Sequence, residues 1–289
     1  MTSGRVSSGN GTSSGHGTPG HGTRSDGTRG DGTRGDGTRG GATSGIALRG
    51  SGAPADGGPS GPVPAVVTTG RPSWWLLLTA LAVSVAVTAD LLSRGVLERL
   101  DLQVSEVVSR WDLRDSPGYW PVWAVTQIGG RGTILIVLTG LVGWLCWRRR
   151  TLVPLVRVLA ALVLLTVVVY AVKYGTGRTA PAYPGSFFHR DGASYPSGHV
   201  ANAVLMWGVA RWLAVEYRLD PRVQRTLWLL SVVGPLATGV AMVSLDFHWV
   251  TDAVVGAAVG VLLLGVVHAL DAIAESRWES ARAGRPPAA

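Results

Sequence analysis

His248 and Asp252 lie four residues apart, a spacing that stacks two side chains one turn above the other on a helix. In that arrangement Asp252 takes the proton of one imidazole nitrogen and leaves the other free to attack an electrophile. A polar pair capping a helix end has the same spacing, so this pair alone leaves both readings open. A second cluster, Pro196-Ser197-Gly198-His199, stands at the start of an apolar run. Ser197 is placed as a helix N-cap, the amides behind it form an anion site, and Gly198 lets an oxyanion approach closely. Capping accounts for Ser197 but not for a histidine two positions later. The third cluster is the glycine-rich exit Lys173-Tyr-Gly175-Thr-Gly177-Arg178. Lys173 is the only lysine in a chain with 26 Lys plus Arg, so a compact, mobile ammonium stands where every other such cation is a planar guanidinium. Anchors snorkelling at the end of a membrane helix would also fill these positions.

The elements that must bring these clusters together are apolar. A bilayer span takes about 20 residues of helix, and six runs approach that length, near 74–92, 130–147, 152–172, 200–215, 226–245 and 253–270. The second reaches span length if its helix starts near Pro121. The expected fold is all-α, a six-transmembrane-helix bundle. With six spans, the end of the third, the start of the fourth and the junction of the fifth and sixth return to one membrane face. Lys173, His199 and His248 stand at those three places. Between the first two runs, Leu97, Leu100, Val104, Val107, Val108 and Trp111 recur at three-four spacing, which predicts a helix lying in the interface. Arg148, Arg149 and Arg150, with Arg218, Arg222 and Arg225, favour cytoplasmic N- and C-termini and an active face outside. The opposing loop also carries arginines, but there they alternate with acidic residues.

Residues 1–70 are rich in Gly, Ser and Thr and hold imperfect five-residue repeats, among them Asp-Gly-Thr-Arg-Gly from Asp26 to Gly40. A segment with so little apolar surface is expected to be a disordered tail. The six-span domain then occupies 71–272 and a short cytoplasmic tail 273–289. A net charge of +8 would point to nucleic acid in a soluble protein. Beside apolar runs it orients spans and faces anionic lipid instead, so nucleic acid is not an expected partner. The single cysteine, Cys146, lies inside an apolar run, which leaves no disulfide framework and no cysteine-based metal site. Asp90 is expected to pair with an arginine, and His268 to sit at the interface opposite the clusters. Gly256, Gly260 and Gly265 point to close helix packing.

Taken together, the three clusters resemble the phosphatidic acid phosphatase type 2 superfamily, whose membrane lipid phosphatases share an active site with the vanadium haloperoxidases. That pattern reads Lys-x6-Arg-Pro, then Pro-Ser-Gly-His, then Ser-Arg-x5-His-x3-Asp. Pro196-Ser197-Gly198-His199 matches it in full and His248-x3-Asp252 matches its spacing, and the likeness in order and intervals spans roughly 73–270. The resemblance implies that His248 attacks phosphorus to form a phosphohistidine and that Asp252 orients it. It further implies that His199 protonates the leaving oxygen, after which water releases phosphate. Lys173, Arg178, Ser197 and Gly198 would bind the phosphate, with no metal or other cofactor. The implied substrate is a phosphate or diphosphate on a polyprenyl or glycerolipid. Where the pattern has Arg-Pro the chain has Ala180-Pro181, and where it has Ser-Arg it has Ala241-Met242. Arg178, two residues before Ala180, is placed to supply one of the absent guanidiniums. The same site also allows phosphotransfer to an acceptor, or lipid-phosphate binding without turnover.

Overall fold

The computed structural model describes residues 71–183, 188–189 and 192–283. The repeats and the tail expected to be disordered lie outside the described residues. The described residues fall in one compact unit, Pro62–Ala289.

Helix α1, Trp74–Leu92, begins where the Ser73 hydroxyl accepts the Leu76 amide at 3.3 Å. Asp90, near its end, pairs with no arginine among the described residues. Its carboxylate accepts the amides of Val96 and Leu97 at 3.2 and 2.8 Å, satisfying donors that the start of helix α2, Val96–Ser109, would otherwise leave unpaired. After one turn of 3-10 helix come α3, Tyr119–Thr126, and α4, Arg131–Arg149. The second apolar run therefore does not extend back to Pro121. A break at Gly129 and Gly130 separates two helices, and the lack of a side chain at 129 allows a close approach there. A Cβ on Gly129 would lie 2.4 Å from the His199 carbonyl oxygen.

Helix α5, Val153–Thr176, stops at Gly177, which takes φ +59° and donates its amide to the Lys173 carbonyl at 2.9 Å. Glycine adopts that left-handed conformation without steric cost. Helix α6 is Gly198–Glu216 and α7 is Pro221–Ser244. At the head of α7, the Asp220 side chain accepts the Arg222 amide at 2.7 Å. Helix α8, Val250–Ala283, runs for 34 residues. It passes the expected end near 270 because residues 271–283 contain neither Gly nor Pro to stop it.

Among the described residues, five helices, α1, α4, α5, α7 and α8, are long and apolar enough to cross a membrane. The sixth long helix, α6, differs because its wall is protein. Of its 19 residues, 13 are buried, against α7, α8, α5 and α4. Sheathed in this way it accommodates the buried Asn202, whose amide donates to the Gly129 carbonyl. The outer helices instead turn large apolar side chains outward, with Ile136 76%, Val163 62% and Leu236 67% exposed. In water each would forgo roughly 1.5–3 kcal/mol of burial, so this surface belongs in lipid. Gly260 and Gly265 serve close packing as expected. A Cβ at these positions would meet Val204 at 2.7 Å and Leu77 at 2.6 Å.

At one end of the bundle the buried Arg157 of α5 ties three helices together. It bonds Asp271 of α8 at 2.6 and 2.8 Å, Glu216 of α6, and Glu275 of α8 at 3.1 Å. Its guanidinium lies 4.5 Å from the Trp212 ring. His268 is 4% exposed and packs 4.0 Å from the same ring, so it is a core residue of this cluster rather than an interfacial one. Arg157 precedes Lys173 by four and a half turns, about 24 Å along the helix. The network thus braces the end opposite the three polar clusters.

Candidate active site

The ends of α4, α5 and α6 and the α7–α8 junction enclose a cavity of 620 Å³. Lys173, Gly198, His199 and His248 all line it. The three clusters, separated in sequence by whole helices, therefore meet in one place. The loop between α5 and α6 is closed by backbone pairing, with the His189 amide on the Gly177 carbonyl and the Ser194 amide on the Arg178 carbonyl, each at 2.8 Å. Lys173 donates to the Ala193 carbonyl of this loop. At the other side the Ser197 amide donates to the Asp252 carbonyl at 2.9 Å, joining the starts of α6 and α8.

The hydrogen bonds around His248 determine its tautomer. Its Nδ1 lies 3.2 Å from Asp252 Oδ2 and 3.1 Å from Ser194 Oγ. Ser194 donates its single hydroxyl proton to Asp252, so toward the imidazole it can only accept. Nδ1 must then carry the proton, and the lone pair stands on Nε2, in a residue that borders the cavity. Asp252, fully buried, also accepts the Trp249 amide at 3.1 Å. Ser194 was not singled out from the sequence. Its position three residues before Ser197 was the available signal.

Arg178 does not border the cavity. It is 1% exposed and bonds the carboxylates of Asp252 and Asp101, with Asp101 Oδ2 at 2.6 Å and Thr251 Oγ1 at 2.7 Å. Asp101 also accepts the Thr251 amide at 3.1 Å and the Thr251 hydroxyl. This alters the expected picture of α2. The helix forms as expected, but Leu100 and Val107 are 42% and 51% exposed while Asp101 is 1% exposed. The packed face centres on a carboxylate because a buried guanidinium and a buried hydroxyl satisfy it. The rings of Trp249 and Tyr195 flank the guanidinium at 5.3 and 5.8 Å. Burial pushes the Tyr195 phenol above its usual range, and its hydroxyl is 2.6 Å from that of Thr88.

Ser197 occupies the N-cap of α6, yet its side chain makes no cap hydrogen bond and is wholly buried. The amides of α6, with Gly198 beside the cavity, remain uncovered by it. Ala180 borders the cavity, whereas Met242 is 3% exposed and does not. Asp246 is turned to α2, where Ser105 and Ser109 donate to it at 3.1 and 2.8 Å. Arg131, the first residue of α4, borders the cavity as well. In sequence it is distinguished only by the two glycines before it. Among the described residues, no group of three or more His, Cys, Asp or Glu side chains is arranged to hold a metal ion.

Residues 154–273, which include all three clusters, match the family model of the PAP2 superfamily. This segment is similar to the PAP2 superfamily. The matched segment runs from the start of α5 into α8, so the helices that carry the cavity's histidines and lysine are the matched elements, while α1 to α4 lie outside the match. No curated protein matches the chain significantly. Among solved structures, the chain is similar to the first transmembrane PAP2 type phosphatidylglycerolphosphate phosphatase from Bacillus subtilis. The identity is 21% and the TM-score 0.48, over 68% of this chain and 94% of that one.

Proposed function

We propose that this PAP2-like protein is a membrane phosphatase acting on a lipid phosphate or diphosphate through a phosphohistidine on His248. The observation that carries the reading is the proton placement at Ser194, His248 and Asp252, which leaves a basic Nε2 beside a cavity that also holds Lys173 and His199. In the first step the Nε2 lone pair forms a bond to phosphorus. The ester or anhydride P–O bond breaks with its electron pair on the leaving oxygen, which takes a proton from His199, an imidazole protonated once the anionic substrate lies beside it. Asp252 and Ser194 hold the charge that builds on the His248 ring. In the second step His199, now neutral, removes a proton from water as the water oxygen attacks phosphorus. The P–N bond breaks, phosphate leaves and Nε2 regains its lone pair. Lys173 and the α6 amides at Gly198 stabilise charge on the non-bridging oxygens.

In this reading the chain supplies all the groups the reaction needs, and no metal takes part. The domain occupies 71–272, both termini are cytoplasmic, and the headgroup reaches the cavity from the outer leaflet. The arginines of 148–150 and the basic residues at 218, 222 and 225 support that orientation. Purified full-length protein, assayed in EDTA for phosphate release from phosphatidic acid, phosphatidylglycerol phosphate and undecaprenyl diphosphate, tests the proposal. At least one substrate should be hydrolysed, and His248→Ala should be inactive with an unchanged Tm. Turnover by His248→Ala close to that of the unmodified protein would remove His248 from the role.

A further inference from the structure

We infer that Arg131, at the first position of α4, is a phosphate-binding residue of this cavity and acts as a pair with Lys173. The inference rests on the hydrolase reading for its substrate class, a phosphoryl group bearing two negative charges, but its geometry stands separately. Among the described residues, Arg131 and Lys173 are the only Arg or Lys side chains that border the cavity. Arg178, the nearest alternative in sequence, bonds Asp101 and Asp252 and is buried away from it. A dianion entering beside His199 and His248 therefore meets two cations, from the ends of α4 and α5.

The segment that presents Arg131 is held in place. The Asn202 amide donates to the Gly129 carbonyl at 2.8 Å, and the Trp207 indole donates to the Ile128 carbonyl at 2.9 Å. Gly129 lies directly against the His199 backbone, so the α3–α4 connection packs closely on the start of α6. The guanidinium itself lies 5.4 Å from the Tyr170 ring, which also borders the cavity. A cation held over an aromatic face keeps its donors available for an oxyanion. No carboxylate among the described residues forms an ion pair with it. A planar fork on one side and a point charge on the other grip different edges of a phosphoryl group.

Two measurements on the full-length protein test this. One is kcat/KM for phosphate release, and the other is the rise in Tm given by orthophosphate at matched ionic strength, which needs no turnover. Arg131→Ala and Arg131→Gln should each lower kcat/KM at least about tenfold and raise the orthophosphate concentration needed for a given Tm rise by a similar factor. Arg131→Lys should fall between them and the unmodified protein. Arg148→Ala, which removes a charge from the other end of α4, should change neither measurement. In the Arg131→Ala background, Ala180→Arg returns a guanidinium to the cavity wall and should recover part of both losses. If no lipid phosphate is hydrolysed but orthophosphate stabilises the protein only when Arg131 is present, the hydrolase reading falls and the Arg131 site stands. If orthophosphate stabilises Arg131→Ala as well as the unmodified protein, or stabilises neither, the Arg131 site is overturned.

Discussion

Replacing Arg178 by alanine separates two roles that its position beside the phosphate cluster would allow. As a phosphate ligand it would be dispensable for folding, and its loss would weaken substrate binding at an unchanged Tm. The structure makes it the counter-ion of two carboxylates, Asp101 and Asp252, whose side chains are both 0% exposed. Removing one partner of a buried ion pair leaves uncompensated charge and costs about 3–5 kcal/mol. That is a large share of the roughly 5–15 kcal/mol that holds a domain together. For a domain of this size about 1 kcal/mol shifts Tm by about 2–4 °C, so Arg178→Ala should lower Tm by about 6–20 °C. The single cysteine, Cys146, lies among packed helices, so a thiol-reactive dye reports the transition in detergent without added labels. Arg178→Lys should recover part of the loss, since an ammonium restores charge but not the fork. An unchanged Tm for Arg178→Ala, together with a weaker response to orthophosphate, would refute the reasoning and return Arg178 to the phosphate.

Two further outcomes bear on the site and its setting. Asp252→Asn should keep the fold of α8 yet lose orders of magnitude in kcat, because an amide facing Nδ1 can favour the wrong tautomer of His248. An asparagine variant within tenfold of the unmodified protein would separate Asp252 from catalysis. Single cysteines at Thr176, Ala193 and Phe247 in a Cys146→Ala background should all react with an impermeant thiol reagent applied to whole cells, and one at Arg149 should not. Labelling at Arg149 alone would invert the proposed orientation, and a split among the three would contradict a shared face.

What the sequence disclosed and what it hid differ in kind. Lys173, His199 and His248 were legible because each stands at a boundary between polar and apolar runs, and the number of runs returns those boundaries to one end of the bundle. The cavity brings the three together. The i,i+4 relation of His248 and Asp252 was likewise local. Asp101 was hidden because it sits with Glu98, Arg99 and Glu106 among the polar residues of a helix read from its apolar stripe as lying in the interface. Only the approach of α8 and of Arg178 makes it a buried acid. Ser194 and Arg131 were hidden for the same reason. The hydrogen bonds that place Ser194 and the segment before Arg131 join residues between 54 and 79 apart in sequence, and no periodicity records such meetings. The limits of α8 were misjudged because apolar composition ends before helical propensity does. Composition marks where lipid stops, whereas backbone breakers mark where the helix stops.

That last distinction turns α8 into a ruler. At 1.5 Å per residue its 34 residues measure about 51 Å, against about 30 Å for the hydrocarbon layer of a bilayer. Its first acid beyond the apolar stretch is Asp271, already engaged with Arg157. Counting back about 20 residues from that point arrives at Thr251, between His248 and Asp252, the proposed catalytic pair. The depth of the proposed reaction would be set by the length of one helix. The phosphorus would be attacked at headgroup level, where the released anion has water in front of it and the lipid tail need never leave the hydrocarbon.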